Sequence, residues 1–269
     1  MSLLWLFLER EIRDLRANSR VWPLYIVLPL LAILIPSIFA LVMPGMLEVS
    51  AAHGDPGLQV LERATQLVPE FAHYSRAEAV TRYLLRTTSA ILLLVPIAIS
   101  STSAAFSIVG EKQQRTLEPI LATPISDRQF LLGKLLAALA PTVAATWIAA
   151  LVDVALIDSV TAGRYATALL PDRFWLLGVV VLAPLLGGCV VLVTMRLSAR
   201  ATDPQAVVQS TALATLPAFL LLGAIFGRAL TLYFPALLLA CGVMVLVDLA
   251  LFGGNVRRFA RDEILTPWK

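Results

Sequence analysis

The 269-residue sequence has few charged residues, because Asp, Glu, Lys and Arg together make up only 14% of it. A soluble domain normally carries about 25% charged residues. Hydrophobic residues reach 59%, and the mean hydropathy is +0.84. A chain this apolar would expose more hydrophobic surface than a water-soluble fold can bury. The composition therefore argues against a soluble protein and predicts that a lipid bilayer is the solvent of this chain.

The residues that most catalytic sites need are also scarce. No G-x-x-x-x-G-K-[ST] phosphate loop and no H-E-x-x-H zinc motif occurs in the sequence. The two histidines, His53 and His73, lie outside the predicted membrane segments, so a Ser-His mechanism within the bilayer lacks its base. Cys189 and Cys241 both fall inside predicted membrane segments, which disfavours a disulfide or a zinc site. We therefore expect no enzymatic site, no metal and no cofactor in this chain.

Long uncharged stretches are what the sequence has in quantity. Six segments are each long enough to cross the hydrocarbon core as a helix, which takes about 20 residues. Backbone polar groups in lipid must be bonded within the segment, and the ten-residue alternation of barrel strands is absent. The sequence thus predicts an all-α membrane protein with six transmembrane helices in a single domain, residues 1–269. The predicted spans are residues 24–43, 87–109, 132–157, 174–196, 205–226 and 233–252.

Two patterns outside the apolar stretches predict orientation and further helices. Apolar residues recur at helical spacing among charges over residues 1–22, which predicts an N-terminal amphipathic helix on the membrane surface. Six spans place both termini on one side, and fourteen of the 21 Lys and Arg residues then lie on that side. The bias predicts that both termini, including the tail 253–269, are cytoplasmic. On the opposite side, Ser75 and Glu78 form a capping-box pattern that predicts a helix start near Arg76.

The loop between the second and third predicted spans, residues 110–134, has the clearest local signals. Thr116 can cap a short helix that begins at Leu117, with Leu117 and Leu121 on one face. Ser126 and Gln129 form another capping-box pattern, which predicts the start of the third span. The loop is interpreted either as a docking element for another protein or as an ordinary interfacial loop.

Polar residues inside the predicted spans are candidates for contact with a transported substrate. Small polar side chains in membrane helices either allow close helix packing or line a passage. Asp153 and Asp248 are candidates for ion coupling or for pairing across helices, although both lie near span ends where they could reach water. The candidate residues for a translocation path are Ser100, Ser103, Ser107, Gln209, Thr211 and Thr215.

The sequence from Gly110 to Lys134, GEKQQRTLEPILATPISDRQFLLGK, resembles the signature of type-2 ABC transporter permeases. In that family a glutamate closes the second span and is followed by Thr-Leu-Glu, Thr-Pro-Ile-Ser and Leu-Gly-Lys. The segment from Arg257 to Trp268 is similar to the C-termini of permeases grouped with sodium and drug exporters. The six spans and the N-terminal interfacial helix also match the family pattern.

This resemblance implies the membrane subunit of an ATP-binding cassette exporter that works by alternating access. A separate cytoplasmic ATPase would bind ATP and Mg and dock on the loop, which would act as the coupling helix. Leu117 and Leu121 would occupy an ATPase groove, and Glu111 and Glu118 would pair with basic residues around it. The second and fifth spans would flank a path in a dimer with a second copy or a related permease. The matching loop residues are Glu111, Thr116, Leu117, Glu118, Leu121, Thr123, Pro124 and Asp127.

Two other functions fit the composition. An ion-coupled secondary transporter would work through Asp153 or Asp248 and predicts inverted repeats, which the sequence lacks. If the chain were a membrane anchor or assembly subunit without transport, the loop signature would have no role. The basic charge balance is explained by loop arginines that face anionic lipid, so membrane lipid rather than nucleic acid is the expected partner. The expected location is a prokaryotic cell (inner) membrane, and sodium, drugs, peptides and lipids are all compatible substrates.

Overall fold

The computed structural model describes residues 9, 13, 18–19, 21–53, 55–66, 69–113, 126–165, 167–199, 201–215, 220 and 234–258. Across these ranges the chain is helical and contains no β-strand, which confirms the predicted all-α fold class. Most of the predicted N-terminal helix and of the C-terminal tail lies outside the described residues.

Five helices in the described ranges are long and apolar enough to cross a membrane. They correspond to the first, second, third, fourth and sixth predicted spans. The fifth predicted span, 205–226, is described mainly over the helix Pro204–Ala214, so the number six is not confirmed. The five helices are Leu24–Leu47, Arg76–Gln113, Asp127–Thr161, Arg173–Ser198 and Phe234–Arg257.

The second and third spans begin several residues before the predicted apolar stretches because capping serines precede them. The Ser75 hydroxyl accepts a hydrogen bond from the Glu78 backbone N–H, as its sequence pattern predicts. On the other side of the bundle, Ser126 and Gln129 form the complete reciprocal capping box. We call the end of the bundle where the second span ends and the third begins the loop side, and the opposite end the far side.

Prolines explain two irregular segments within the spans. In the second span a 3₁₀ segment, Ala90–Leu93, separates the helices Arg76–Ser89 and Leu94–Gln113. Pro96 follows this segment, and its ring conflicts with an α-helical carbonyl four residues earlier.

The fourth span contains a π-helical segment, Leu177–Leu182, between the helices Arg173–Leu176 and Ala183–Ser198. In the π register the carbonyl of Val179 would accept from residue 184, but Pro184 has no N–H. The indole of Trp147 in the third span donates to that carbonyl instead, at 3.1 Å.

The second and fourth spans form the centre of the bundle, and more of their surface is buried than that of the first and sixth. One apolar cluster joins the first four spans around Leu92, Ile99 and Ile157. Another joins the second, fourth and sixth spans around Leu182 and Leu186. The first and sixth spans leave apolar faces exposed, as expected for helices that contact lipid.

A network of charged residues links the helices at the far side of the bundle. The short helix Pro56–Gln66 and the 3₁₀ turn Pro69–His73 lie between the first and second spans there. Arg86 of the second span pairs with Asp172, which caps the start of the fourth span, and lies 3.4 Å from Glu70. The Arg86 guanidinium also lies 4.1 Å from the centre of the Phe174 ring. These contacts fix the turn Pro69–His73 to the second and fourth spans.

Candidate functional site

The predicted coupling loop is described only at its two ends. The second span ends at Gln113, and the described chain resumes at Ser126. Asp127 is described in the first turn of the third span, where an acidic side chain interacts favourably with the helix dipole. Six of the predicted coupling residues lie outside the described residues, namely Thr116, Leu117, Glu118, Leu121, Thr123 and Pro124.

The Glu111 carboxylate is paired with a lysine of the same subunit, a contact that the sequence does not predict. Its Oε2 lies 2.7 Å from Nζ of Lys134, and the two side chains are only 11% and 1% exposed. Lys134 also donates to the hydroxyl of Ser107 at 2.9 Å. Two charges removed from water must be paired, because an isolated buried charge is very costly. Glu111 therefore joins the end of the second span to the start of the third.

The three candidate serines of the second span point into the subunit. The hydroxyls of Ser103 and Tyr25 are hydrogen-bonded at 3.0 Å, which links the first and second spans. Ser107 is bonded to Lys134, as described above. Ser100 is fully buried beside Gly187, where an added Cβ would lie 3.2 Å from the serine hydroxyl. These serines pack helices together and do not line the cavity described next.

A cavity of about 630 Å³ lies between the first and second spans and the helix Pro204–Ala214, which is the described part of the fifth predicted span, with Val190 of the fourth span also in its wall. Its volume is within the range of small-molecule sites, about 300–1,000 Å³. Of the candidate path residues after residue 204, Thr211 and Thr215 line it, whereas Gln209 is exposed and is not among its lining residues. Ser101 and Thr102 also line it and were missed. Their spacing from Ala98 by three and four residues could have assigned them to this face of the helix.

The hydroxyl groups in this cavity are mostly directed to their own helices. Ser101 and Thr102 both donate to the carbonyl of Ala98, and Thr215 donates to the carbonyl of Thr211. The hydroxyl of Thr211 has no hydrogen-bond partner among the described residues and is fully buried. None of the described lining residues is charged. The described wall is therefore mainly apolar.

The two intramembrane carboxylates occupy separate places in the bundle. Asp153 is fully buried in the far-side half of the third span, so the interpretation that it reaches water is wrong. Ser89 of the second span donates to its Oδ2 at 3.4 Å, which supports the alternative of pairing across helices. Asp248 lies in the loop-side half of the sixth span, against Gly188, where an added Cβ would be 3.4 Å from its Oδ2. Within the described ranges no cluster of three metal-ligating side chains occurs.

The comparison with protein families decides which class of membrane protein this is. The sequence model described as ABC-2 family transporter protein matches residues 5–232. This chain belongs to the ABC-2 transporter family. The match confirms the resemblance seen in residues 110–134 and identifies the chain as a membrane permease of an ABC transporter. No curated protein matches the chain.

The two ends of the loop between the second and third spans lie within the region that matches the family. The matched region contains the whole loop and the cavity-lining parts of the first, second and fifth spans. The ion pair between Glu111 and Lys134 holds the two loop-flanking helices of this ABC-2 transporter protein together. The two helix ends from which the loop starts and to which it returns are therefore held together by this ion pair.

Proposed function

We propose that the chain is the permease subunit of an ATP-binding cassette exporter and moves its substrate by alternating access. A separate ATPase binds ATP and Mg, and this chain hydrolyses no ATP. The membership in the ABC-2 transporter family is the observation that supports this proposal most directly. The loop side faces the cytoplasm of a prokaryotic cell, as the distribution of Lys and Arg in the sequence favours.

The loop at residues 114–125 is the coupling helix in this proposal. An apolar face formed by Leu117 and Leu121 enters a groove of the ATPase, and Glu118 pairs with basic residues there. The ion pair between Glu111 and Lys134 supports this role. Because it joins the second and third spans at the ends of the loop, a displacement of the loop would move both spans together.

The cavity between the first, second and fifth spans forms half of the path, and a second permease copy or a related chain forms the other half. The volume of the cavity and its mainly apolar wall support a path along this face. Alternating access then requires the loop-side ends of the lining spans to move when the ATPases close.

Capture of the ATPase tests this function. The tagged chain is purified in mild detergent, its partners are identified by mass spectrometry, and ATP hydrolysis is measured. We expect a stoichiometric ABC ATPase with the wild type and with Leu117→Met, which keeps an apolar side chain of similar volume. Leu117→Asp is expected to abolish both capture and stimulated hydrolysis, because a charge cannot enter an apolar groove without a partner.

Other outcomes of this experiment point to the alternative functions. Recovery of the chain alone from wild-type preparations would favour an ion-coupled transporter that uses Asp153 or Asp248. Recovery with other membrane proteins and without an ATPase would favour an anchor or assembly subunit. An ATPase that is retained by Leu117→Asp would contradict docking through this face of the loop.

A further inference from the structure

Lys112 lies in the last turn of the second span and faces the fourth span instead of the solvent. Its Nζ donates to the backbone carbonyl of Ser198 at 2.7 Å and to that of Ala199 at 2.6 Å. The residue is only 8% exposed. Ser198 is the last residue of the fourth span and Ala199 is its C-cap. The ammonium thus binds where a helix leaves carbonyls without helical partners and where its dipole is negative.

The next residue extends this contact to the connection between the fourth and fifth spans. Gln113 Nε2 donates to the carbonyl of Thr202 at 2.8 Å. Asp203 and Pro204 follow at once and start the fifth span, with the Asp203 carboxylate bonded to the Gln205 N–H at 3.1 Å. Only residues 199–203 separate the two spans, so a bond to this connection also fixes the base of the fifth span.

Apolar packing supports the same contact from within. Ala105 and Val109 of the second span are fully buried against Val207, which lies one turn into the fifth span and is 1% exposed. Leu197 and Ala201 pack around these three residues. We call Lys112, Gln113 and their carbonyl partners at residues 198, 199 and 202 the loop-side clasp.

We propose that Lys112 is a positioning residue that passes movement of the coupling loop to the fifth span. The loop begins directly after Gln113, so any displacement of the loop acts first on the end of the second span. Through the clasp, the end of the fourth span and the start of the fifth move with it. The cavity-lining residues of the second and fifth spans then move together. This inference rests on the proposed function, because it assigns a role within the ATPase-driven cycle.

The buried position of the ammonium explains why one side chain can have this role. Removing Lys112 from the carbonyls would leave a charge without its hydrogen bonds in a site with little access to water. Charge-assisted hydrogen bonds are also stronger than bonds between neutral groups. The contact therefore resists shear between the second and fourth spans more than the exposed bond of Gln113 does.

The test measures the position of the fifth span in the permease–ATPase complex, reconstituted into lipid nanodiscs. Spin labels are attached at Gln205→Cys, at the base of the fifth span, and at Ser159→Cys, at the far end of the third. Both positions are exposed. Electron–electron resonance on sparsely labelled protein gives the distance between them without nucleotide and after trapping with ATP and vanadate. Capture of the ATPase and ATP hydrolysis are recorded on the same samples.

We expect the wild-type distance to change on trapping. Lys112→Met removes the ammonium and keeps the apolar stem, so this change should be lost while ATPase capture and basal hydrolysis remain. Lys112→Arg should restore the change, because a guanidinium can also donate to two carbonyls. Arg257→Met removes an exposed cation at the loop side of the sixth span and should behave as the wild type.

The outcomes separate this inference from the proposed function. A wild-type chain that captures no ATPase would overturn the proposed function itself. Capture and hydrolysis together with a normal distance change in Lys112→Met would overturn only the role of the clasp. No distance change in the wild type would overturn both the clasp and the alternating-access movement of the fifth span. If Lys112→Met does not give monodisperse protein, Lys112→Gln replaces it, because this shorter and neutral side chain stays polar but loses the charge-assisted bonds to the two carbonyls. A reduced distance change in that variant supports the clasp, and a full change overturns it.

Discussion

The ion pair at the base of the coupling loop makes a quantitative prediction about stability. Lys134→Met removes the ammonium that lies 2.7 Å from the Glu111 carboxylate and leaves that carboxylate buried without its charge partner. Removing one member of a buried ion pair costs about 3–5 kcal/mol. The hydrogen bond from Lys134 to Ser107 is lost as well. We therefore expect the single substitution to destabilise the bundle near the upper end of this range.

The double substitution Glu111→Gln with Lys134→Met should cost much less than the sum of the single substitutions. The charge pair is then replaced by neutral side chains, and the loss is that of one or two hydrogen bonds, each about 1 kcal/mol. The coupling energy of the two positions is expected to reach about 2 kcal/mol, which is within the range for residues in contact.

The assay is reversible unfolding of the purified protein in mixed micelles, monitored by the circular dichroism signal of its helices. All four members of the double-mutant cycle are measured under the same conditions. Arg128→Met is the control, because Arg128 is exposed on the same helix and its loss should change stability by less than about 0.5 kcal/mol. Additive effects of the two single substitutions, within about 0.5 kcal/mol, would refute the assignment of Glu111 to an internal ion pair.

Three further substitutions test contacts elsewhere in the bundle, each by the same unfolding measurement. Gly187→Ala should destabilise by about 1–3 kcal/mol, because the added Cβ would lie 2.9 Å from a leucine side chain and 3.2 Å from a serine hydroxyl. Gly242→Ala, where an added Cβ would meet no described side chain or other helix within 4 Å, should be neutral or slightly stabilising. Equal effects at the two glycines would contradict this packing. Arg86→Met should cost about 1–3 kcal/mol, because it leaves the partly exposed Asp172 carboxylate without its guanidinium while Glu70 keeps its ion pair with Arg173. The exposed Arg63→Met should cost almost nothing, and similar losses for the two arginines would argue against the far-side network. Trp147→Phe should cost about 1 kcal/mol by leaving the π-helical carbonyl unpaired, and an unchanged stability would show that this bond contributes little.

The parts of the fold that depend on local sequence could be predicted. Charge-free stretches of sufficient length gave the helical class and the positions of the spans, because the bilayer imposes both. Ser75 and Ser126 gave helix starts since a capping hydroxyl bonds a backbone N–H only three residues away.

The details of the site depend on contacts between distant residues and could not be predicted in the same way. Glu111 lies in a segment typical of partner binding, but only the fold shows that Lys134 lies beside it. Lys112 lies at a span end, where charges are common, and its carbonyl partners are 86 and 87 residues away along the chain. Ser100 and Ser101 are neighbours in sequence, yet helix geometry turns the first to the interior and the second to the cavity.

The paired base of the loop sets the boundaries for exchanging loops between permeases. A chimera that replaces only residues 114–125 keeps the recipient's Glu111 and Lys134, and with them the angle between the second and third spans. A chimera cut outside both residues transfers the donor's own charge pair, but separates it from Ser107 of the recipient. Partner specificity is therefore best exchanged with the shorter insert. The longer insert requires the serine of the second span to be matched as well.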